Sequence, residues 1–460
     1  MNDTLTPMRR QGEDRADETR PRPRERAVNL AFGAVGPVAY LAPLGLAVLL
    51  PALGIALFFA MPRERRPSIL AALARMRLLW LLPVIAILSA LWAVAPGAAL
   101  FEGGRLLGEI AIGAGVIALA AQLPQARRQE AVLALAAGLG AAAAVMLADT
   151  AMGGDLTAWA RRREITDITL ANAYSRGAIV HALLLPPLLV ALLRSGRRLA
   201  AGLSLLAATA AIGVLHSASA KLALPAGLAA ALATYLWLGF GRVLVLLQCA
   251  LVLALPFLLI PMPDPASFCD LAEYQSSGLH RLYIWRFVDW HILERPLLGW
   301  GMDASRRLAG PEDKVTLYRC ATAEHPRQAM GTVGLLPLHP HDAALQIWVE
   351  LGAVGALAAA LALATLFLPL FAPGRPAAPA AAGGLAAVTI AASISFGIWQ
   401  SWWIASFFLC AALATLAGVG EAARPETVPF PRAAAARLAE SSGADPDEPG
   451  RAVGKSGTLH

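Results

Sequence analysis

Few residues of this sequence carry a charge. Only 15% of its 460 residues are Asp, Glu, Lys or Arg, whereas 57% are apolar and the mean hydropathy is +0.59. Soluble globular proteins carry about 25% charged residues, so this composition excludes an ordinary soluble protein. The sequence therefore predicts a polytopic membrane protein.

The N-terminal region lacks an apolar run. Residues 1–27 are hydrophilic and rich in arginine, without the apolar core and cleavage site of a secretory signal. The first apolar segment is therefore expected to remain in place as an anchor. Residues 421–460 also lack an apolar period and are rich in Ala, Pro, Gly, Ser and charge. Both ends are predicted to be disordered cytoplasmic tails.

Apolar runs long enough to cross a bilayer, which takes about 20 residues, define the expected spans. They lie near 28–43, 45–61, 78–95, 105–123, 130–150, 172–193, 199–216, 220–239, 243–261, 342–371, 381–399 and 402–419. Nine runs thus fill residues 28–261 and three fill residues 342–420, with a large loop at 262–341 between them. The prediction is an all-α protein of about twelve transmembrane helices; the alternative joins the first two runs into one tilted helix.

The arginines predict the orientation, because short cytoplasmic loops retain positive charge. With the N-terminus inside, the cytoplasmic segments are 9–26, 63–77, 127–128, 194–198, Arg242 and Arg375, and each is basic. The same count places the loop at 262–341 outside. A count of eleven spans would turn basic segments outward.

Two outer segments depart from this charge pattern. Arg161, Arg162 and Arg163 form a basic run outside, and Lys221 lies at the outer end of a span. Such cations can extend to the interface and contact lipid phosphates. Alternatively, they line a cavity that receives an anionic lipid head group.

The sequence has only four cysteines. Cys249 and Cys410 lie in apolar runs and are expected to be packing residues. Cys269 and Cys320 lie on the outer loop, where an oxidising periplasm would allow them to pair. Two loop cysteines leave both a disulfide and two free thiols open.

The outer loop contains an amphipathic segment. An apolar stripe at helical spacing is formed by Leu282, Trp285, Val288 and Ile292, and short helices are predicted over 271–275 and 282–293. Arg281 and Arg286 flank this stripe. The segment is either an ordinary surface helix or one whose arginines are available to phosphates.

A histidine pair precedes the tenth apolar run. His339 and His341 flank Pro340, and Asp342 is a candidate cap for the following helix. His341 would then lie just before a helix N-terminus, where an anion binds well. Its imidazole can take a proton from a hydroxyl near neutral pH. A metal pair is the alternative, but no third ligand is evident.

Three motifs together resemble a known family. The segments RLYIW at 281–285, PLLGWG at 296–301 and HDAAL at 341–345, with Gly352 seven residues further on, look like the O-antigen ligase and O-antigen polymerase family of bacterial envelope glycosyltransferases. The resemblance covers about residues 30–420. It implies a GT-C-like fold of roughly twelve spans with one large periplasmic loop.

The resemblance also implies an activity. Members of the family move a glycan from an undecaprenyl diphosphate carrier to an acceptor hydroxyl, such as that of lipid A-core, at the periplasmic face of the bacterial inner membrane. The expected enzyme is metal-independent, inverting and without cofactors. Its partners are the lipid-linked glycan, the acceptor and membrane lipids, and no nucleic acid.

Residue roles follow from the matched motifs. His341 matches the family histidine and is the candidate general base, with Glu350 and Asp289 as weaker alternatives. Asp342 departs from the family, where Ser or Asn is usual. In SASAKLAL, at 217–224, Lys221 stands where the family has an arginine. The candidate diphosphate-binding set is Arg281, Arg286, Lys221, Arg176 and Arg163, and the supporting set is Asp342, His339 and Glu350.

The alternatives differ in class. A polymerase would extend the glycan on its carrier with the same fold and chemistry, and the ligase is favoured because HPHDAALQIWVELG resembles ligase sequences. A transporter without covalent chemistry is expected to show paired broken helices and repeat symmetry. The sequence has neither, and its large outer loop favours an enzyme.

Overall fold

A computed structural model describes residues 23–65, 67–162, 167–274, 276–310, 312–321, 326–372 and 374–418 of the chain. The predicted C-terminal tail and Arg163 lie outside these ranges. Of the predicted N-terminal tail, residues 23–27 are described, and they form the start of the first helix. The first helix therefore begins earlier than the apolar run at 28–43.

The described residues are almost entirely helical. The helices are α1 (Pro23–Leu41), α2 (Leu46–Ala60), α3 (Pro67–Arg75), α4 (Leu81–Leu88), α5 (Pro96–Ala120), α6 (Gln125–Ala151), α7 (Asp155–Arg161), α8 (Asp167–Arg194), α9 (Arg198–Val214), α10 (Ala218–Leu236), α11 (Gly239–Leu259), α12 (Leu271–Tyr274), α13 (Ser276–Glu294), α14 (Ser305–Leu308), α15 (Ala343–Phe367), α16 (Ala378–Ile394) and α17 (Ser401–Gly418).

Eight of the helical segments in the described ranges are long and apolar enough to cross a membrane. They are Pro43–Ala60, Pro96–Ala120, Gln125–Ala151, Tyr174–Arg194, Ala218–Leu236, Gly239–Leu259, Ala343–Phe371 and Ser401–Gly418. A ninth arises if Arg63–Arg75 and Arg77–Leu91, bent by 63°, form one span. The all-α polytopic class is thus confirmed. Each of the twelve apolar runs coincides with helical structure, but the number of spans stays a prediction.

Small residues let the helices approach closely. A Cβ added to Gly138 of α6 would lie 2.0 Å from the carbonyl oxygen of Gly33 on α1. A Cβ on Gly227 of α10 would lie 2.8 Å from the carbonyl oxygen of Gly383 on α16. Backbone contact of this kind replaces hydrophobic burial as the source of helix association in a bilayer.

Segments that the charge pattern assigns to the same side contact one another. The inner contacts are Arg65 Nη1 to Gln122 O (2.9 Å), Arg127 Nη2 to Glu25 Oε2 (2.8 Å) and Arg242 Nε to Phe371 O (3.0 Å). The outer contacts include Trp92 Nε1 to Leu298 O (3.0 Å) and Ser175 Oγ to Ser217 Oγ (3.2 Å). The outer loop therefore packs on the helix ends that were expected to lie beside it.

The outer loop contains more than the helices that the sequence predicts. Helices α12 and α13 lie where the amphipathic segments were expected, but an antiparallel hairpin of β1 (Lys314–Arg319) and β2 (Gln328–Gly334) was not predicted. Cys269 and Cys320 form a disulfide with their Cα atoms 5.0 Å apart. The bonded alternative is thus the one adopted, and it ties β1 to the segment before α12.

Candidate functional site

Asp342 caps α15, as the sequence predicts. Its Oδ1 accepts a hydrogen bond of 2.9 Å from the backbone N–H of Leu345, and the residue has the extended backbone of an N-cap. Burial raises the pKa of this carboxyl to about 7. His341 therefore stands directly before the helix, with a φ of +60° that non-glycine residues rarely adopt.

The ring of His341 is held by the turn between α16 and α17. Its Nδ1 lies 2.5 Å from the carbonyl oxygen of Ser395. A carbonyl oxygen can only accept, so Nδ1 carries the proton and Nε2 is the unprotonated nitrogen. Burial lowers the pKa of His341 to about 4, which keeps the ring neutral at pH 7. The geometry is that of a general base with a fixed tautomer.

His339 packs beside His341. The two ring centroids are 4.3 Å apart, and Nδ1 of His339 accepts a hydrogen bond of 3.3 Å from the backbone N–H of His341. Burial, followed by the charges of His341, Arg306 and Arg281, lowers the pKa of His339 to about 3. Both Nδ1 atoms of the pair are thus engaged, and within the described residues no third metal-ligating side chain joins them.

The charge of Arg281 acts on both histidines. Burial lowers the pKa of its half-buried guanidinium, whose charge lowers the pKa of both His339 and His341. Its Nη1 donates to the carbonyl and hydroxyl oxygens of Ser277, each at 3.3 Å. Its Nε is buried and has no hydrogen-bond partner in the described part of the chain. Arg281 therefore supplies a positive charge that acts on both histidines and an Nε–H donor without a partner among the described residues.

Arg286 is not brought to the histidines. It is exposed, and its Nη1 donates to the carbonyl oxygen of Met262 at 3.0 Å. The charge of Arg286 lowers the pKa of Asp289, but burial has the larger effect and raises this pKa to about 6. Five positions along a helix correspond to a rotation of about 140°, so Arg281 and Arg286 leave α13 on different faces. The role of Arg286 in binding the diphosphate therefore stays a prediction.

Arg176 lies close to the His341 turn, whereas Lys221 is exposed. The guanidinium carbon of Arg176 is 5.6 Å from the ring centroid of Trp402, and that ring contacts Phe396 beside Ser395. Lys221 extends from α10 as an exposed side chain, although Ser217 one turn earlier bonds to Ser175 on α8. Arg176 is thus linked to the His341 turn through Trp402 and Phe396, and Arg163 lies outside the described residues.

Hydrogen bonds occupy both carboxylate oxygens of Glu350. It is fully buried and accepts hydrogen bonds from Ser305 Oγ (2.6 Å), Gln346 Nε2 (3.0 Å), Asp303 N–H (2.6 Å) and Trp399 Nε1 (2.7 Å). Four donors satisfy the carboxylate, so it is not available to take a proton from a substrate. Glu350 instead joins the outer loop, α15 and the turn before α17.

The PLLGWG segment and the helix after the histidines interlock. Helix α15 is broken at Gly352, which has φ +63° and ψ −163°. Residues 296–301 run beside the break, where Trp300 N–H donates to Val349 O at 2.9 Å and Ala353 N–H donates to Pro296 O at 2.8 Å. A Cβ on Gly299 would lie 2.6 Å from the carbonyl oxygen of Glu350. The two motifs are therefore parts of one structural unit.

Some residues of the site were missed by the sequence analysis. Arg306 Nε pairs with Asp303 Oδ1 at 2.8 Å, and its charge lowers the pKa of His339. Ser395 contributes a backbone carbonyl, and Gly397 lets His339 approach, since a Cβ there would lie 3.0 Å from His339 Cγ. The adjacent arginines at 306–307 could have indicated a charged site in the sequence. The Ser395 contribution could not, because every residue has a backbone carbonyl oxygen.

An apolar cavity of about 220 Å³ lies between α5, α11, α15, α16 and α17. Aliphatic and aromatic side chains form nearly all of its wall. Its wall includes Ala343, Ala344 and Ser393, which are close in sequence to His341 and Ser395, so part of the cavity lies near the histidines.

Known proteins match the part of the chain that carries this site. Residues 165–360 match the sequence model of the O-antigen ligase family. Proteins provisionally named polysaccharide ligases share 37% identity over 134 residues in Rickettsia prowazekii and 35% over 143 residues in Rickettsia conorii. These matches cover 29% and 30% of this chain, and 30% and 32% of the relatives. The match to the O-antigen ligase family thus covers the part of the chain that holds Arg281, the PLLGWG segment and both histidines, and it confirms the resemblance seen in the motifs.

Proposed function

We propose that this protein is a membrane glycosyltransferase of the O-antigen ligase type. It moves a glycan from an undecaprenyl diphosphate carrier to an acceptor hydroxyl, such as that of lipid A-core, at the periplasmic face of the bacterial inner membrane. The observation that carries this proposal is the His341 ring, whose Nδ1 is bound to Ser395 O and whose Nε2 is left as a base beside Arg281.

The transfer needs a base and positive charge. His341 Nε2 takes the proton of the acceptor hydroxyl, whose oxygen attacks the anomeric carbon. The bond from that carbon to the diphosphate oxygen breaks, and its electron pair stays on the diphosphate, which gains one negative charge. A single displacement inverts the anomeric configuration. Arg281 and Arg176 are the described cations of the predicted set that are best placed to stabilise this charge.

The carrier lipid has a suitable place beside the histidines. The first isoprene units of its polyprenyl chain would occupy the apolar cavity, because Ala343, Ala344 and Ser393 in the cavity wall are close in sequence to the His341 turn. Segments that the charge pattern assigns to the outer side contact one another, which supports a periplasmic site. The names of the Rickettsia relatives favour the ligase over the polymerase.

Purified full-length protein should transfer glycan from an undecaprenyl-diphosphate-linked oligosaccharide to lipid A-core, also in the presence of a chelator. His341→Ala should abolish transfer with little change in the melting temperature in detergent, since among the described residues the side chain makes one hydrogen bond, to Ser395 O. His216→Ala, at an exposed histidine on the same predicted side, is the matched control. Normal transfer by the His341 variant would remove the base, and loss of activity on chelation would remove the metal-free mechanism.

A further inference from the structure

The two histidines of the site carry their protons on different nitrogens. His341 Nδ1 must donate to the carbonyl oxygen of Ser395, which leaves Nε2 unprotonated. His339 Nδ1 accepts from the backbone N–H of His341, so this atom is unprotonated and the neutral ring carries its proton on Nε2. One ring therefore offers a base, and the other offers a hydrogen-bond donor.

The packing of His339 holds the ring in this orientation. Its side chain is only 9% exposed, and it lies between the His341 ring and the backbone of Gly397. Rotating the ring by 180° about its χ2 would remove the acceptor that the N–H of His341 uses. Burial also lowers the pKa of His339 to about 3, so the ring remains a neutral donor at the pH of the periplasm.

The donor atom of His339 has no protein partner in the described ranges, and two arginines are close enough to lower the pKa of its ring. No described residue accepts a hydrogen bond from Nε2. The charges of Arg281 and Arg306 both lower the pKa of His339, and the charge of Arg281 also lowers the pKa of His341. An unpartnered N–H on a residue that is only 9% exposed and that feels two positive charges is suited to an anionic ligand.

We propose that His339 Nε2–H donates a hydrogen bond to an anionic oxygen of the lipid diphosphate, and so stabilises the leaving group. This assignment rests on the proposed function. The proton remains on His339 throughout, since the diphosphate leaves as an anion and needs no acid. The neutral imidazole thus acts as a fixed dipole beside the charge that develops, while His341 takes the acceptor proton.

Two substitutions separate the nitrogens of His339. His339→Asn places an amide near Nδ1, where its oxygen can still accept from the N–H of His341. His339→Gln places an amide near Nε2, where its NH₂ group can still donate. In single-turnover transfer with the full-length protein, we expect a loss of about 100-fold for Asn, as for removal of one oxyanion donor, and a much smaller loss for Gln.

A second measurement reports the protonation of His339 in the wild-type protein directly. In ¹⁵N-histidine NMR of the wild-type protein, Nε2 of His339 should be protonated, and its proton should shift downfield on addition of undecaprenyl diphosphate. His339→Gln assigns the signal. Undecaprenol, which has the same chain without a phosphate, is the control and should leave the signal unchanged.

The outcomes distinguish the inference from the proposed function. Equal losses in both variants, greater activity in Asn than in Gln, or an Nε2 that is unprotonated or unaffected by the diphosphate would overturn the role of His339 while transfer by the wild-type protein stands. A wild-type protein that neither binds undecaprenyl diphosphate nor transfers glycan would overturn the proposed function itself.

Discussion

Burial of the His341 ring sets the pH range in which it can act as a base. An exposed histidine has a pKa of about 6.5, whereas burial lowers the pKa of His341 to about 4. The charge of Arg281 also lowers this pKa, and the hydrogen bond to Ser395 O raises it. The base must be unprotonated, so activity is lost as the pH falls through this pKa.

The pH profile of kcat/KM should therefore have its acid limb near pH 4 and be level from about pH 5 to 8. Transfer rates across this range would be measured together with circular dichroism, which separates ionisation from unfolding. An acid limb near 6.5 in a folded protein would mean that another, more exposed group is the base.

Arg306 and Arg307 form a matched pair for testing the charge at the site. Both pair with Asp303, at 2.8 Å and 3.2 Å, and both are substantially exposed. Only the charge of Arg306 is among those that lower the pKa of His339. The shared partner means that the loss of either ion pair has a similar structural effect.

Arg306→Gln should therefore reduce transfer by about 10-fold or more, the scale of a charge-assisted hydrogen bond, whereas Arg307→Gln should change it by less than about 2-fold. Steady-state transfer and the melting temperature of both variants would be compared. Equal effects of the two substitutions would show that Arg306 acts only through Asp303.

At the scale of the elements, the helices could be predicted and their breaks could not. The thickness of the bilayer sets the length of the apolar run that a spanning helix needs. Each predicted run accordingly coincides with helical structure. The break at Gly352 depends on backbone bonds to residues 296–301, and the His341 tautomer depends on a carbonyl oxygen 54 positions away. Both contacts are made to backbone atoms, whose positions no sequence pattern predicts.

The same reasoning explains the other differences in the loop. The sequence predicts helices α12 and α13 because their apolar residues recur at helical spacing. Strand β2, QAMGTVG, is exposed over most of its length and lacks a regular alternation of apolar and polar residues, so no pattern indicated the hairpin. Arg281 and Arg286 both flank the stripe in sequence, and only the helix rotation shows which faces the histidines.

The interlock of residues 296–301 with α15 gives a prediction about backbone shape. Gly352→Ala should lower the melting temperature and abolish transfer, because φ +63° is unfavourable for alanine and the new Cβ would lie 2.3 Å from the carbonyl oxygen of Leu297. Gly104→Ala, at a helical glycine of α5 with open space around it, is the control and should be neutral or stabilising. A Gly352→Ala protein with normal stability would mean that the break in α15 is not required.

At the scale of the whole molecule, the number of spans decides which side the histidines face. The charge pattern puts residues 194–198 inside and the loop at 262–341 outside, and an odd error in the count would reverse one relative to the other. Gln328 on β2 and Arg197 between α8 and α9 are both exposed, so a cysteine at either position is open to a reagent.

Single-cysteine variants would test this orientation in cells. Cys249 and Cys410 are replaced by alanine to remove the free thiols, and the Cys269–Cys320 disulfide is left in place. Gln328→Cys should react with a membrane-impermeant maleimide when only the outer membrane is permeable, and Arg197→Cys should react only after lysis. The opposite pattern would place His341 on the cytoplasmic side, where lipid A-core exposed to the periplasm could not be its acceptor. Reaction of both cysteines without lysis would instead require one span more or fewer between α8 and the loop.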